Sequence, residues 1–95
     1  MRPYEMMILL TTDLQDEDLT SQLETIEGWI KNNDGEIAEV KHWGRRRMAY
    51  EINDQRDAYY VLYQLNMPAS APVEVERNLR LNENVLRYLI TRADD

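Results

Sequence analysis

The alternation of apolar and polar positions predicts six elements in the order strand, helix, strand, strand, helix, strand. The predicted strands cover residues 4–11, 36–52, 58–67 and 85–91, and the predicted helices cover residues 16–33 and a segment that begins at residue 70 or 71 and ends before a turn at residues 82–84. Both alternating sets of residues in the first strand are largely apolar, which is typical of a strand in the centre of a sheet.

The first helix is predicted from a stripe of apolar residues at helical spacing: Leu19, Leu23, Ile26 and Ile30. Acidic side chains occupy its first turn, residues 16–18, where the helix dipole favours anions. Gly35 follows the last turn, and we expect it to adopt the left-handed conformation that ends many helices. The second helix is predicted to bury Val75 and Leu79.

The segment from Glu36 to Ile52 does not keep one strict alternation, and Gly44 lies where the alternation changes. This pattern indicates either one long strand with a bulge near Gly44 or two shorter strands. Residues 53–57 are polar and are predicted to form a turn. The strand that follows is rich in tyrosine and valine, which favour strands.

This order of elements is typical of the ferredoxin-like fold, an α+β two-layer sandwich in the order βαββαβ. Its four-stranded antiparallel sheet carries both helices on one face. A chain of 95 residues is about the size of one domain, so we expect a single ferredoxin-like domain over residues 1–95.

The sheet face without helices is predicted to be unusually apolar. Besides Arg87, it should carry five apolar side chains: Met7, Leu9, Tyr60, Leu62 and Leu89. Exposed apolar patches of this kind mark surfaces that bind a partner, and these five residues are therefore candidate partner-binding residues. The alternative is that they are ordinary, scattered surface hydrophobes.

Composition excludes several classes of protein. Hydrophobic residues make up 43% and charged residues 31% of the chain, which is typical of a globular protein. Cysteine is absent, and this excludes disulfides, thiol catalysis and cysteine-based metal sites. The longest apolar run, residues 6–10, is far shorter than a membrane span or a signal peptide requires. We therefore expect a soluble intracellular protein that does not interact with membranes.

Charge is distributed unevenly along the chain. The net charge is −7, and residues 13–39 contain nine acids and one base. Residues 41–47, in contrast, contain four cations, one histidine and no acid. An acidic protein with a concentrated basic segment can contact nucleic acid on one side only.

Three consecutive arginines, Arg45, Arg46 and Arg47, are the main candidate RNA-binding residues. The guanidinium fork suits phosphate, and the neighbouring Trp43 could stack on a base. The alternative is a charged edge strand that prevents pairing between sheets. Secondary candidates are Arg2, Arg87 and Arg92. The topology predicts that Arg2 and Arg92 lie at the same end of the sheet, although each is individually more typical of a lone surface cation.

Motifs for catalysis or metal binding are missing from the sequence. His42 is the single histidine and has no sequence signal for a carboxylate partner or a substrate pocket. The acids at residues 16–18 do not alternate around a glycine as calcium ligands do. Phosphate-binding loops, dinucleotide fingerprints and nucleophile elbows are likewise missing. We therefore expect no catalytic residues, no metal site and no cofactor.

Several segments together resemble the family of bacterial-type small ribosomal subunit protein six. The start at Met1–Glu5, the glycine after the first helix, the segment Tyr59–Pro68 and the segment from Leu79 to Val85 are all similar to that family. The most specific similarity is Gly44–Ile52, which resembles the family's motif of a glycine, a basic pair, a Leu, an Ala or Ser, a Tyr, any residue and an Ile. Met48 stands where the family usually has Leu, which is a conservative change in volume.

The resemblance implies a ferredoxin-like fold and a structural, non-enzymatic role in the cytoplasmic ribosome or an organellar one. Members of the family bind small-subunit ribosomal RNA together with small-subunit protein eighteen, as a heterodimer. By this resemblance the chain should be a monomer outside the ribosome, with RNA contacts from the motif arginines at 45–47.

Two other functions are compatible with the predicted fold. A ligand-sensing regulatory module would form a homodimer by itself. An acylphosphatase-type enzyme would need arginine and glycine in the loop after the first strand, but residues 11–15 contain neither. The enzyme is therefore strongly disfavoured.

Overall fold

The computed structural model describes residues 1–93, and all six predicted elements are present in the predicted order. They are β1 (Arg2–Leu10), α1 (Asp16–Asn32), β2 (Glu36–Ile52), β3 (Gln55–Met67), α2 (Ala71–Leu81) and β4 (Val85–Arg92). The single-domain prediction extends to residue 95, so its last two residues lie outside the described part of the chain.

The four strands form one antiparallel sheet in the order β2-β3-β1-β4. β1 lies between β3 and β4, which explains why both of its faces are apolar. The two helices pack on one face of this sheet and share its core. The predicted ferredoxin-like α+β sandwich is confirmed. Within residues 1–93, neither helix is long and apolar enough to cross a membrane.

The main core lies between the sheet and the two helices. Met6, Ile8 and Leu10 of β1 are fully buried there, as the alternation predicts. The helices contribute the stripes expected from their spacing, with Leu23, Ile26 and Ile30 from α1 and Ala71, Val75 and Leu79 from α2. Periodicity alone therefore identifies which residues seal this side of the sheet.

The end of α1 corrects one expectation. The left-handed residue is Asp34, with a φ of 63°, and not Gly35. The Gly35 N–H donates to the carbonyl of Ile30 over 2.9 Å and the Asp34 N–H donates to that of Lys31 over 3.1 Å, which closes a Schellman motif. Gly35 is needed for space, because a Cβ there would lie 2.7 Å from Cγ2 of Ile30 and 2.8 Å from its backbone oxygen.

β2 is one long strand with a bulge, and the alternative of two strands is wrong. The pairing with β3 shifts between His42 and Gly44, and Gly44 has a φ of 77°. The predicted turn at residues 53–57 is shorter than expected. Only Asn53 and Asp54 have positive φ, and β3 resumes at Gln55. A two-residue turn with both φ values positive matches the twist of the flanking strands, and Asn and Asp tolerate it.

Candidate nucleic-acid and partner interface

The hairpin formed by residues 44–58, hereafter the hairpin arm, curls over the open face of the sheet. Met48 and Ala58 of the arm are buried against Leu9 of β1 in a second, smaller hydrophobic cluster. Tyr50 accepts a hydrogen bond from the guanidinium of Arg87, which lies 5.7 Å from the tyrosine ring centroid. Because β2 and β4 are opposite edges of the sheet, this contact shows that the arm reaches across it.

A second irregularity in β2 explains how the arm can bend. The register with β3 shifts between Arg47, which pairs with Asp57, and Ile52, which pairs with Gln55. The four residues between these two positions on β2 face a single residue on β3. Extra residues in one strand bend it and increase its twist, and here they direct Met48 and Tyr50 towards the open face.

The arm changes the predicted partner surface. Leu9 lies on the open face but is only 8% exposed, because the hairpin arm packs against it, so little of its side chain is accessible to a partner. Sequence alternation assigns a side chain to a face, but it cannot show that another part of the chain covers that face. The other four candidates remain accessible to different degrees: Met7, Tyr60 and Leu62 are half-buried, and Leu89 is 62% exposed.

Two grooves remain on the open face. The arm groove, of about 290 Å³, lies between the hairpin arm and strands β1 and β4, with Met48, Tyr50 and Ile52 on the arm side. The tryptophan groove, of about 240 Å³, is lined by Glu5, Met7, Trp43, Leu62, Leu89 and Thr91. Met7 and Leu89 line both, so these two side chains form the ridge between the grooves.

The three motif arginines differ in their contacts. Arg45 forms an ion pair with Asp57 at 3.2 Å, with 60% of the arginine side chain exposed. Arg46 lies over the indole of Trp43, 5.3 Å from its ring, and its Nε donates to the backbone oxygen of Trp43. Arg47 forms no ion pair with any of residues 1–93. Exposed ion pairs are worth only about 0–1 kcal/mol, so the arginines remain available to a stronger anion.

Trp43, the candidate for stacking on a base, already has aromatic and cationic neighbours. Its ring stacks on Tyr60 with centroids 6.5 Å apart and an interplanar angle of 7°. Arg46 lies over the same ring system. A base that stacked on Trp43 would therefore have to compete with Arg46, although the indole is 41% exposed.

Two of the three secondary arginines, Arg2 and Arg92, lie far from the arm. Arg2 pairs with Met67 and Arg92 pairs opposite Tyr4, which confirms that both lie at the same end of the sheet. Arg46 pairs with Ala58 at the opposite end. At about 3.3 Å per residue, the length of β1 separates the two ends by roughly 26 Å. Arg87 lies near the arm end but is held by Tyr50.

Arg56 is a further cation of the arm that the sequence reasoning missed. Its Nε lies 3.0 Å from the carboxylate of Glu51, and 70% of its side chain is exposed. The polar pattern of residues 53–57 predicts a turn there, which places Arg56 in a loop. The Asn-Asp pair is itself a signal for a two-residue turn, which would have placed Arg56 on a strand beside the other arginines.

Tyr63 and Glu27 form a polar pair on the helix side of the sheet. Tyr63 is fully buried, and its hydroxyl donates to Glu27 Oε2 over 2.9 Å. Burial, together with this carboxylate neighbour, raises the pKa of the Tyr63 phenol far above its ordinary value of about 10. Among residues 1–93, no three acidic or histidine side chains come together as metal ligands would. His42 is exposed on β2.

Comparison with known proteins decides the family. The sequence model of ribosomal protein S6 matches residues 3–92, which is nearly the whole chain. This protein belongs to the ribosomal protein S6 family. The small ribosomal subunit protein bS6 of Desulforudis audaxviator is 42% identical over 94 residues, covering 99% of this chain and 100% of that relative. The bS6 protein of Desulfitobacterium hafniense is 35% identical over 95 residues and is covered completely.

The fold agrees with this assignment. The crystal structure of 30S ribosomal protein S6 from Thermotoga maritima superposes with a TM-score of 0.91. It is 24% identical in sequence, and the match covers 96% of this chain and 86% of the other. The resemblance found in the motif at residues 44–52 is confirmed. The ribosomal protein S6 family consists of structural components of the bacterial-type small ribosomal subunit and not of enzymes, so the expected class and location are confirmed.

Proposed function

We propose that this protein binds small-subunit ribosomal RNA through its hairpin arm and docks with small-subunit protein eighteen through the remaining open face. The observation that carries the proposal is the position of Arg45, Arg46 and Arg47 on an arm that borders an exposed apolar face. The molecule thus offers charge for phosphate on its arm and apolar area for a protein on the face beside the arm. The family provides the ribosomal setting.

The charge distribution supports an RNA contact at the arm. Five of the nine acids between residues 13 and 39 lie on α1, which packs on the opposite face of the sheet, whereas Asp13 accepts a hydrogen bond from Gln55 of the arm. The acids of α1 repel RNA from the helix side of the molecule. Phosphate contacts by arginine dominate affinity for nucleic acid, because each one releases condensed counterions. An acidic protein can in this way bind RNA in a single orientation.

The apolar part of the open face supports a protein partner. Leu89 is 62% exposed, and Met7, Tyr60 and Leu62 are only half-buried. Complete burial of a large apolar side chain is worth about 1.5–3 kcal/mol, so covering this surface would favour association. Because the occupant is proposed to be a different protein, the chain should be monomeric by itself. A homodimer would instead favour the regulatory-module alternative.

The RNA contact is tested by replacing Arg45, Arg46 and Arg47 together with alanine. Binding of a small-subunit ribosomal RNA fragment should weaken. The negative slope of log affinity against log salt should become less steep by about 2–3. The matched control replaces Lys31, Arg77 and Arg80 of the helix layer with alanine, which removes the same charge away from the arm. Equal slopes for the arm variant and the wild-type protein would overturn the RNA assignment.

The partner contact is tested by Leu62→Glu, which places a charge in the tryptophan groove. Heterodimer formation with purified protein eighteen should be lost, while circular dichroism shows an intact fold. Val73→Glu is the matched control, because Val73 is 63% exposed on α2, on the other side of the molecule. Size-exclusion chromatography of the protein alone should show a monomer. Heterodimerisation of the Leu62→Glu variant at wild-type affinity would contradict the assignment of this face.

A further inference from the structure

The open face is electrically polarised. Arg46, which pairs with Ala58, and Arg87, which pairs with Leu9, lie at its arm end. Glu5 lies towards the other end of β1, paired with Gln64 of β3 and Thr91 of β4. Glu39 of β2 pairs opposite Gln64, so a second carboxylate adjoins the same end. The two ends of one face therefore suit ligands of opposite charge.

Glu5 is a half-buried carboxylate without a cation. Its Oε2 accepts one hydrogen bond, 3.2 Å long, from the side-chain amide of Gln64. None of the cations in residues 1–93 forms an ion pair with it. Removing a carboxylate from water is costly unless a positive group or several donors compensate, and buried acids are therefore usually paired. Glu5 has one neutral donor and capacity for more.

The residues around Glu5 indicate which kind of group could compensate its negative charge. The tryptophan groove places the carboxylate among Met7, Leu62 and Leu89, with the indole of Trp43 as another wall. Apolar walls can hold the methylene stem of a long cationic side chain, and a carboxylate accepts the hydrogen bonds of its charged head. The indole serves here as an apolar wall, because Arg46 and Tyr60 already flank its ring. RNA does not suit this groove, because its phosphates would be repelled by Glu5.

We infer that the tryptophan groove receives a basic side chain, an arginine or a lysine, of the protein partner, and that Glu5 pairs with its charge. The inference rests on the proposed function, since it concerns the same partner. The tryptophan groove has a volume of about 240 Å³, which is below the roughly 300–1,000 Å³ of small-molecule sites. This size favours one inserted side chain. Partner and RNA thus occupy opposite ends of one face.

The test is Glu5→Gln, which removes the charge but keeps the shape and an acceptor for Gln64. Affinity for purified protein eighteen, measured by titration calorimetry without RNA, should fall about tenfold at low salt. The difference from wild type should shrink as salt increases, because salt screens the pair. The matched control is Glu24→Gln on the exposed side of α1, which changes the net charge equally and should leave affinity within about twofold.

The outcomes separate this inference from the proposed function. If Leu62→Glu abolishes the heterodimer but Glu5→Gln binds as tightly as Glu24→Gln, the inference is overturned and the docking face stands. If Leu62→Glu binds normally, the docking face itself is overturned, and the inference with it. If Glu5→Gln weakens binding to protein eighteen, Glu24→Gln does not, and the salt dependence of RNA binding is unchanged, the result supports separate partner and RNA sites on the open face.

Discussion

The two sides of the sheet use the same strands but reach different degrees of closure. On the helix side, Met6, Ile8 and Tyr63 are fully buried under α1 and α2. On the open side, the neighbouring Met7 and Leu62 remain half-buried, and only the hairpin arm covers part of the face. The helices of the chain cover one side of the sheet, whereas the hairpin arm covers only part of the open side.

The polar groups show the same contrast. Among residues 1–93, no fully buried side-chain polar atom lacks a hydrogen-bond partner, and on the helix side the hydroxyl of the buried Tyr63 donates a hydrogen bond to Glu27. Glu5 on the open side has only a neutral amide as its partner. This is the carboxylate that we propose pairs with a basic side chain of the protein partner.

The largest expected effect comes from adjacent residues of β1 that point to opposite sides. Ile8→Ala should lower the free energy of unfolding by about 2–5 kcal/mol, because it leaves a cavity under the helices. Met7→Ala should cost about 1 kcal/mol or less, because Met7 is half-buried and its surroundings can relax. Urea denaturation measures both values. Similar losses for the two variants would mean that the open side is as closed as the helix side.

Two glycines of the helix layer give the next effect. Gly35→Ala should destabilise the protein by about 1–3 kcal/mol, because the new Cβ would meet Ile30 at 2.7 Å and Met67 at 2.9 Å. Gly28→Ala should stabilise it by about 0.5–1 kcal/mol, because nothing lies within 4 Å and alanine favours a helix. Thermal unfolding of both variants should show shifts of opposite sign. A stabilising Gly35→Ala would contradict the close packing described at the end of α1.

The smallest expected effect concerns the polar closure of the helix side. Tyr63→Phe removes the hydrogen bond to Glu27 and should cost about 0.5–1.5 kcal/mol at neutral pH. The phenol pKa is raised in the folded state, so above pH 10 the unfolded chain loses this proton while the folded chain keeps it. Folding stability of the wild-type protein should therefore fall as pH rises above 10.

Comparing the wild-type protein with Tyr63→Phe separates the pH dependence caused by Tyr63 from the pH dependence caused by the other tyrosines. Between pH 9 and pH 11 the free energy of unfolding should fall less for the variant than for the wild-type protein. The difference in unfolding free energy between the two proteins should therefore narrow or reverse. Chemical denaturation at a series of alkaline pH values measures the difference. Parallel pH profiles for the two proteins would show that the buried phenol does not resist ionisation.

Short-range patterns were sufficient for most of the fold. Apolar spacing identified the buried stripes of both helices, and Gly44 marked the bulge in β2. The pattern was less reliable at chain reversals. It placed the left-handed residue at Gly35 when Asp34 takes that conformation, and it read residues 53–57 as a turn when two residues suffice. Both errors follow from the fact that Asn and Asp can adopt positive φ when hydrogen bonds or strand twist require it.

By itself, the sequence determined the order of the elements, the residues of the helix-side core and the segment that carries three adjacent arginines. These are properties of spacing along the chain, which periodicity reads directly. Tertiary structure alone decided that the hairpin arm covers Leu9, that Arg2 and Arg92 lie far from the arm, and that Glu5 shares a groove with Trp43. Those contacts join residues distant in sequence, and they exist only because the sheet is closed in one order and one register.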